Sequence, residues 1–345
     1  METPKTPLIG MTLAELTKVA EQAGLRKFAG KQMARWLYQK RVTSIDEMTD
    51  LPLTARSHIS EQYTVGREEP LTRLVSSDGT VKYLFRGAGN RDVEAVMIPD
   101  ADRATLCVSS QAGCKMGCRF CMTGRQGFHG QLSAAQIINQ LLSVEESERL
   151  TNVVFMGMGE PMDNLEAVIA ACDILTADWG FAWSPKRITV SSVGKLEEMR
   201  QLIERTKVHI ALSLHSPFGE ERGQLMPAEK AWPATEVLAM LRGYDWSKQR
   251  RLSVEYIMWG GLNDDDRHAR ALARLLNGMH CRVNLIRFHS IPDSPLKPSQ
   301  EERMVRFRDT LNNLGITATI RASRGEDIMA ACGLLAGSKA SAAPN

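Results

Sequence analysis

From Met11 to Tyr63 apolar residues recur three and four apart. Leu13, Leu16, Val19 and Ala20 share one face, and Phe28 to Tyr38 resumes the pattern after Gly24, which predicts a small helical unit. From Val65 to Pro99 the period shortens. Val81-Lys82-Tyr83-Leu84-Phe85 and Val93-Glu94-Ala95-Val96-Met97-Ile98 flank the turn signals Asp78-Gly79 and Gly87 to Asn90, and they predict antiparallel strands with tight turns. Glu94 stands out there as a carboxylate inside a strand, although strand glutamates more often face solvent.

Beyond Ala104 short apolar runs alternate with helical stretches. The strands predicted are Leu106-Cys107-Val108, Val153-Val154-Phe155, Ile188-Thr189-Val190, Ile210-Ala211-Leu212, Val254 to Ile257, Val283 to Ile286 and Ala318-Thr319-Ile320. Ser133 to Glu148 reads as a helix, with Ser133 as cap, Gln136 completing a capping box, and Ile137, Leu141 and Val144 as the buried stripe. Repeated strand-helix units imply a parallel sheet with right-handed crossovers, an open or closed α/β barrel. The expected organisation is a helical domain over 1–64, a small β unit or linker over 65–100, a barrel core over 101–335, and a disordered tail over 336–345.

Ligands of such sheets gather beyond the C-terminal ends of the strands. Polar or special residues fall there in turn: the cysteine loop after the first strand, Gly157 to Glu160 after the second, Ser191-Ser192, Ser213-Leu214-His215, and Arg321 to Glu326 after the last, with Asn284 inside the sixth. Singly each is an ordinary turn or surface residue. Together they outline one rim.

Length and composition are those of an ordinary globular protein, 345 residues with 43% hydrophobic and 24% charged content. No apolar run approaches the roughly 20 residues of a membrane span, and Met1-Glu2-Thr3-Pro4-Lys5 lacks a secretory pattern, so the chain is expected to be cytoplasmic with no membrane partner. Seven unevenly spaced cysteines argue for ligand or catalytic thiols over a disulfide framework. A net charge of +3 decides nothing about nucleic acid. Local clustering says more. Arg26, Lys27, Lys31, Arg35, Lys40 and Arg41 crowd around Trp36 and Tyr38, a mixture that suits RNA phosphates and unpaired bases and equally a solvated helical face.

The densest chemistry is Cys114-Lys115-Met116-Gly117-Cys118-Arg119-Phe120-Cys121. Spacings of four and three bring three soft thiolates to one ion or cluster and leave a coordination position open. A zinc knuckle borrowing Cys107 as fourth ligand is the alternative.

This C-x3-C-x2-C loop resembles that of the radical S-adenosylmethionine (SAM) superfamily. The match narrows through Asp102 to Ser109, Met122-Thr123-Gly124, Phe155 to Pro161, Ser213 to Pro217, Val283 to Ile286 and Arg324 to Gly333, which in this order resemble the RlmN/Cfr family of radical SAM RNA adenine methyltransferases. The resemblance implies a partial (βα)6-type barrel with an N-terminal helical domain and a small β extension. It implies a [4Fe-4S] cluster on Cys114, Cys118 and Cys121, and SAM contacted by Gly159, Glu160, Ser191, Ser213, Leu214, His215 and Asn284. Cys332 matches the cysteine that is itself methylated, Cys107 a second essential thiol, and Glu94 the carboxylate proposed as proton acceptor.

By the same resemblance the expected partners are 23S rRNA, at an adenine of the peptidyl-transferase region, and tRNA, at the adenine 3' of the anticodon. A flavodoxin- or ferredoxin-type electron donor and a monomeric state are expected as well. Arg287 stands where Cfr-like sequences carry arginine, whereas Asp102 to Cys107 and Gly124 to Phe128 look like the RlmN branch, which implies methylation at C2, with C8 as the alternative. Two other classes stay open on the residues alone: a zinc-stabilised, non-catalytic RNA-binding protein, and a radical SAM enzyme of a small molecule. Cys172 and Cys281 fit small buried apolar positions and are given no chemistry.

Overall fold

The computed structural model describes residues 5–248 and 250–337. Helices α1 (Leu13–Gln22), α2 (Phe28–Ala34) and α3 (Leu53–Gln62) form the N-terminal part. Thr12 starts α1 through a capping box in which Glu15 returns to the Thr12 amide at 2.7 Å. Leu16, Val19 and Ala20 are its buried face, as their spacing requires.

Ten strands follow in one sheet: β1 (Thr72–Val75), β2 (Val81–Phe85), β3 (Val93–Asp100), β4 (Arg103–Cys107), β5 (Asn152–Phe155), β6 (Ile188–Ser192), β7 (His209–Ser213), β8 (Leu252–Met258), β9 (Cys281–Arg287) and β10 (Ala318–Ile320). Every strand neighbours its successor in the chain. β1 to β4 pair antiparallel, and β4 to β10 are parallel. Helices make the crossovers: α4 (Ala134–Leu142), α5 (Leu165–Thr176), α6 (Leu196–Arg205), α7 (Gly219–Leu225) with α8 (Ala234–Leu241), α9 (Asp266–Leu276) and α10 (Glu301–Asn313). All the strands predicted after Ala104 are present, and the sheet is the expected open barrel.

Three expectations need correction. The segment 65–100 is no separate unit, because β3 pairs with β4 from Val96–Cys107 to Asp100–Arg103 and the extension continues the barrel sheet. The helix from Ser133 keeps its capping box but ends at Leu142. Beyond it, Glu145 and Glu146 are drawn off the helical path by Arg73 at 3.0 Å and the Tyr83 hydroxyl at 2.8 Å. The predicted tail begins later than Ala336: the amides of Ala336 and Gly337 donate to Glu94 Oε2 at 2.7 and 3.1 Å, and the remainder of the tail, 338–345, lies outside the described residues.

The basic and aromatic cluster of the N-terminal helices is partly consumed by folding. Tyr38 is buried and its hydroxyl donates to the Met11 carbonyl at 2.7 Å. Lys31 pairs with Asp178 at 3.0 Å, Trp36 Nε1 donates to Asp50, and Lys40 covers the Trp36 ring. No helix among the described residues is long and apolar enough to cross a membrane.

Asn139 on α4 joins the N-terminal part to the barrel. Its Oδ1 accepts from the Glu68 amide at 2.9 Å and its Nδ2 donates to the Glu68 carbonyl at 2.8 Å, imitating a strand partner in a buried position. Asn139→Ala leaves both backbone groups without that partner and is expected to lower the unfolding free energy by about 1–3 kcal/mol, measured by urea denaturation. A loss below a few tenths of a kcal/mol would show that the clamp contributes nothing.

Candidate active site

The cysteine loop is held at its base. Two short strands, Gln111–Gly113 and Phe128–Gln131, pair antiparallel, and the Cys114 amide donates to the Gly127 carbonyl at 2.9 Å. At Gly113 φ is +72°, and a Cβ would stand 1.9 Å from the Gly127 oxygen, so only glycine closes this turn. Phe120, the aromatic before the last cysteine, bolts the loop to the barrel: its ring lies edge-on to His215 at 5.0 Å and against Trp259 at 5.1 Å.

Cys114 and Cys118 are buried and Cys121 is half-buried. Burial pushes the Cys114 thiol up to about 12 and the Cys118 thiol well above its ordinary value, and Cys121 and Cys114 add their own charge to the effect on Cys118. Thiols that oppose one another's ionisation share one space, and a cationic metal centre among them reverses the penalty. Their number, softness and single anchored loop fit a [4Fe-4S] cluster. Among the described residues no three His, Cys, Asp or Glu side chains converge closely enough for a single ion. Cys107, the fourth ligand of the zinc alternative, has Cys332 and Arg321 as its charged neighbours instead of the loop thiols.

The rim expected to bind SAM is built around Glu160. Gly159 adopts φ +100° with Gln111 pressed against its Cβ direction, and Gln111 Oε1 accepts from the Glu160 amide at 2.7 Å. The buried Glu160 carboxylate accepts from the Met162 and Val193 amides at 3.1 and 3.0 Å. Burial nevertheless raises its pKa to about 7. Ser191 and Ser213 place their hydroxyls 3.3 Å apart on neighbouring strands. Leu214 is fully buried. His215 serves the fold through its side chain: Nδ1 accepts from the Ile257 amide at 3.1 Å, and burial lowers its pKa to about 3, so the ring is neutral.

Asn284 faces the interior of the barrel, donating from Nδ2 to Glu255 Oε1 at 2.8 Å. A cleft of about 790 Å³ fills that interior, and Glu255, Asn284, Arg321 and Cys332 line it. Cys332 is open to solvent yet lies deep in the protein, on the wall of this cleft. Its charged neighbours are Arg321, Glu255 and Cys121, and Cys332 in turn acts on Cys107. The structure therefore brings together Cys107 on β4, Cys332 on the last loop and Cys121 of the cysteine loop. All three are free thiols.

Glu94 is engaged by the fold. It is buried, with Oε1 3.0 Å from Lys82 Nζ and Oε2 taken by the Ala336 and Gly337 amides. Oε1 thus pairs with the lysine of β2, and Oε2 holds the chain beyond Cys332.

Sequence reasoning missed Arg222 and Glu255. Arg222 is fully buried and donates to the carbonyls of Leu214, Val193 and Ser213 at 3.1, 2.6 and 3.0 Å, while pairing with Glu229. Nothing in its helical surroundings announces burial. Glu255 carried the signal noticed at Glu94, a carboxylate inside an apolar strand, and it gathers Ser253, Asn284 and Arg321 inside the cleft.

Known proteins share this arrangement. The Radical SAM superfamily profile matches residues 108–276, and that of the ribosomal RNA large subunit methyltransferase N-terminal domain matches residues 6–65. A probable dual-specificity RNA methyltransferase RlmN of Bacteroides thetaiotaomicron is 57% identical over 97% of both chains. The dual-specificity RNA methyltransferase RlmN of Halorhodospira halophila is 41% identical over 96% of this chain and 93% of its own. The chain belongs to the RlmN family of radical SAM methyltransferases. The crystal structure of a radical SAM methyltransferase from Sphaerobacter thermophilus superposes with a TM-score of 0.89 at 38% identity, covering 96% of this chain and all of that one. Superfamily membership brings its cofactors, a [4Fe-4S] cluster and SAM.

Glu160 gives this RlmN-family site a pH signature. Its folded pKa, about 7, lies above the ordinary 4.5, so its contribution to stability is fully present below about pH 4.5 and is lost as the pH rises through 7. In the cofactor-free protein the wild type minus Glu160→Gln difference in unfolding free energy should therefore fall between pH 4.5 and 7. A difference that stays flat over that range would show that the buried carboxyl titrates normally.

Proposed function

We propose that this chain methylates C2 of adenine in RNA and carries the incoming carbon on Cys332. The observation that supports this reading is the position of Cys332: it lies on the wall of the cleft, and its charge is felt by Cys107 on one strand as that of Cys121 in the cysteine loop is felt by Cys332. Cys114, Cys118 and Cys121 would hold the cluster. Gly159, Glu160, Ser191, the Ser213 to His215 segment and Asn284 would hold SAM, with Glu160 ionising against its ammonium group. When bound, the two supply a transferable methyl group and the one-electron chemistry that activates it at a ring carbon with no lone pair.

The chain's own residues do the rest. Cys332 must lose its proton to accept a methyl group. Burial opposes this and the Arg321 guanidinium favours it, itself fixed by Glu255 at 3.4 Å. With the carbon bonded to both Cys332 Sγ and the adenine ring, the Cys107 thiolate attacks Cys332 Sγ. A sulfur-sulfur bond forms, the carbon-sulfur bond breaks, and its electron pair leaves with the product carbon, which takes a proton. Cytoplasmic thiols then reduce the transient disulfide. If Glu94 is to accept the ring proton, as the resemblance implies, the acceptor would be Oε1, which Lys82 alone occupies, Oε2 already holding two amides.

The substrates proposed are an adenine in the peptidyl-transferase region of 23S rRNA and the adenine 3' of the anticodon in tRNA. The dual specificity in the relatives' names supports this pair. A flavodoxin- or ferredoxin-type donor would supply electrons to a monomer working in the cytoplasm. Arg287, the Cfr-like position, is bound to Glu301 at 2.6 and 2.7 Å and to the Arg321 carbonyl at 2.7 Å, a structural engagement that leaves the C2 assignment in place.

Nucleoside mass spectrometry after incubation of the reconstituted enzyme with rRNA or tRNA should show 2-methyladenosine, separated from the 8-methyl isomer. Cys332→Ala should give none. Cys107→Ala should instead accumulate protein covalently bonded to RNA, visible as a mobility shift that survives denaturation. Clean turnover by Cys107→Ala would remove its assigned role, and methylation by Cys332→Ala would defeat the mechanism.

A further inference from the structure

The cleft that ends on Cys332 begins at the opposite end of the barrel from the cysteine loop. Its lining starts with Asn152, Lys186, His209, Arg251, Arg282 and Thr317, which lie at or just before the first residues of β5 to β10. Those strands are parallel, so these residues form one ring at the N-terminal mouth. At the C-terminal end, where Arg287, His289 and Ala322 to Arg324 continue the lining, the cysteine loop is tied to the last loop. Met122 donates to the Gly333 carbonyl at 2.8 Å, Thr123 Oγ1 to the Leu335 carbonyl at 2.8 Å and Gln126 Nε2 to the Ala336 carbonyl at 2.8 Å, while Arg125 binds the Pro292 carbonyl.

The mouth is cationic. Lys186, Arg251 and Arg282 are exposed, and among the described residues none of them forms an ion pair. Arg103 beside them is shared with Asp100 at 2.8 Å. Exposed cations that no carboxylate of the fold neutralises can meet phosphates at little cost in lost internal contacts. The N-terminal cluster differs, since Lys31 is already engaged by Asp178.

Depth and volume narrow the guest. Four residues separate Arg251 at the mouth from Glu255 beside Cys332, roughly 13 Å along a strand at about 3.3 Å per residue. A base stacked in a helix cannot cross that depth, whereas a nucleotide swung out of its stack can. About 790 Å³ is within the ordinary range of small-molecule pockets and accommodates one nucleotide.

We infer that RNA docks on the N-terminal mouth of the barrel, with its phosphates on Lys186, Arg251 and Arg282 and one extruded adenosine passed up the lumen to Cys332. This rests on the methyltransferase reading above and adds the face that receives the substrate. The expected rim at the C-terminal strand ends then serves the cofactors alone.

The triple variant Lys186→Glu, Arg251→Glu, Arg282→Glu is compared with Lys186→Arg, Arg251→Lys, Arg282→Lys and with Lys31→Glu, Arg35→Glu, by binding to a tRNA transcript over a range of salt. Three lost contacts at about 0.7 each should flatten the slope of log affinity against log salt by about 2. At about 0.1 M salt the triple reversal should weaken binding at least about tenfold, and the charge-retaining variant should bind as the wild type does. An unchanged slope in the triple reversal, with the wild type still methylating RNA, would overturn the docking face alone. A loss confined to the Lys31 and Arg35 variant would do the same and move the RNA to the helical domain. A wild type that methylates no RNA would instead overturn the reading beneath it.

Discussion

The buried carboxylate of Glu94 holds the site closed. The sheet is an open ribbon whose last parallel strand, β10, pairs on one side only. The chain beyond it must cross back to the opposite part of the ribbon for Cys332 to reach Cys107, and that crossing is pinned by Lys82 and by two amides on one carboxylate. Breaking a buried pair by removing one partner costs about 3–5 kcal/mol, because a charge is left uncompensated. The β1 to β2 turn reinforces the grip: Asp327 accepts from the Ser76 hydroxyl at 2.5 Å and the Ser77 amide at 3.0 Å, and Asp78 accepts from the Gly325 amide at 3.0 Å. The antiparallel extension is therefore the support of the loop that carries the reactive thiol.

This explains what was legible in the chain and what was not. Strands β4 to β10 could be read because their short apolar runs alternate with helical stretches, and α4 because its capping box and stripe are local. The C-x3-C-x2-C loop was legible because its ligands are neighbours in sequence. The antiparallel strands of the extension were legible, but not their continuity with the barrel, since period-two patterning reveals a strand but not its partner, and here the partner of β3 is β4. Glu94 and Glu255 show the same limit. A carboxylate inside a strand is visible from sequence, but whether it faces water, a lysine or a catalytic cleft depends on chain segments more than 60 residues away, as with Glu255 and Arg321. Arg222 gave no sign at all, because its burial follows from three carbonyl ends converging on one point.

The thiols divide by environment into two kinds. Cys114 and Cys118 are buried among one another and beside Glu160, conditions in which a free thiol stays protonated and a bound cluster would be what holds it as thiolate. Cys332 and Cys107 share Arg321, the one cation that lowers both, and Cys332 alone of the seven cysteines is exposed. Cys172 is buried, with its thiol raised by that burial, whereas Cys281 is half-buried on the cleft wall, where burial raises its thiol to about 11 against the Arg242 guanidinium.

An anchored cysteine loop at one end of a barrel and a cationic mouth at the other separate two incompatible demands. Radical chemistry needs water and bulky reactants kept away from the activated carbon. RNA needs a wide, charged and hydrated surface. A lumen roughly four residues deep lets both conditions hold in one domain, provided the group that crosses it is a single base and the carrier that meets it is a side chain able to present a carbon atom. Cys332 is placed for the role proposed for it, because its loop reaches the cleft wall from the end that carries the cysteine loop. With RNA docked at the mouth as proposed, the depth of the passage would make extrusion of the adenine a condition of reaction: a target that stayed stacked would not come within reach of the sulfur.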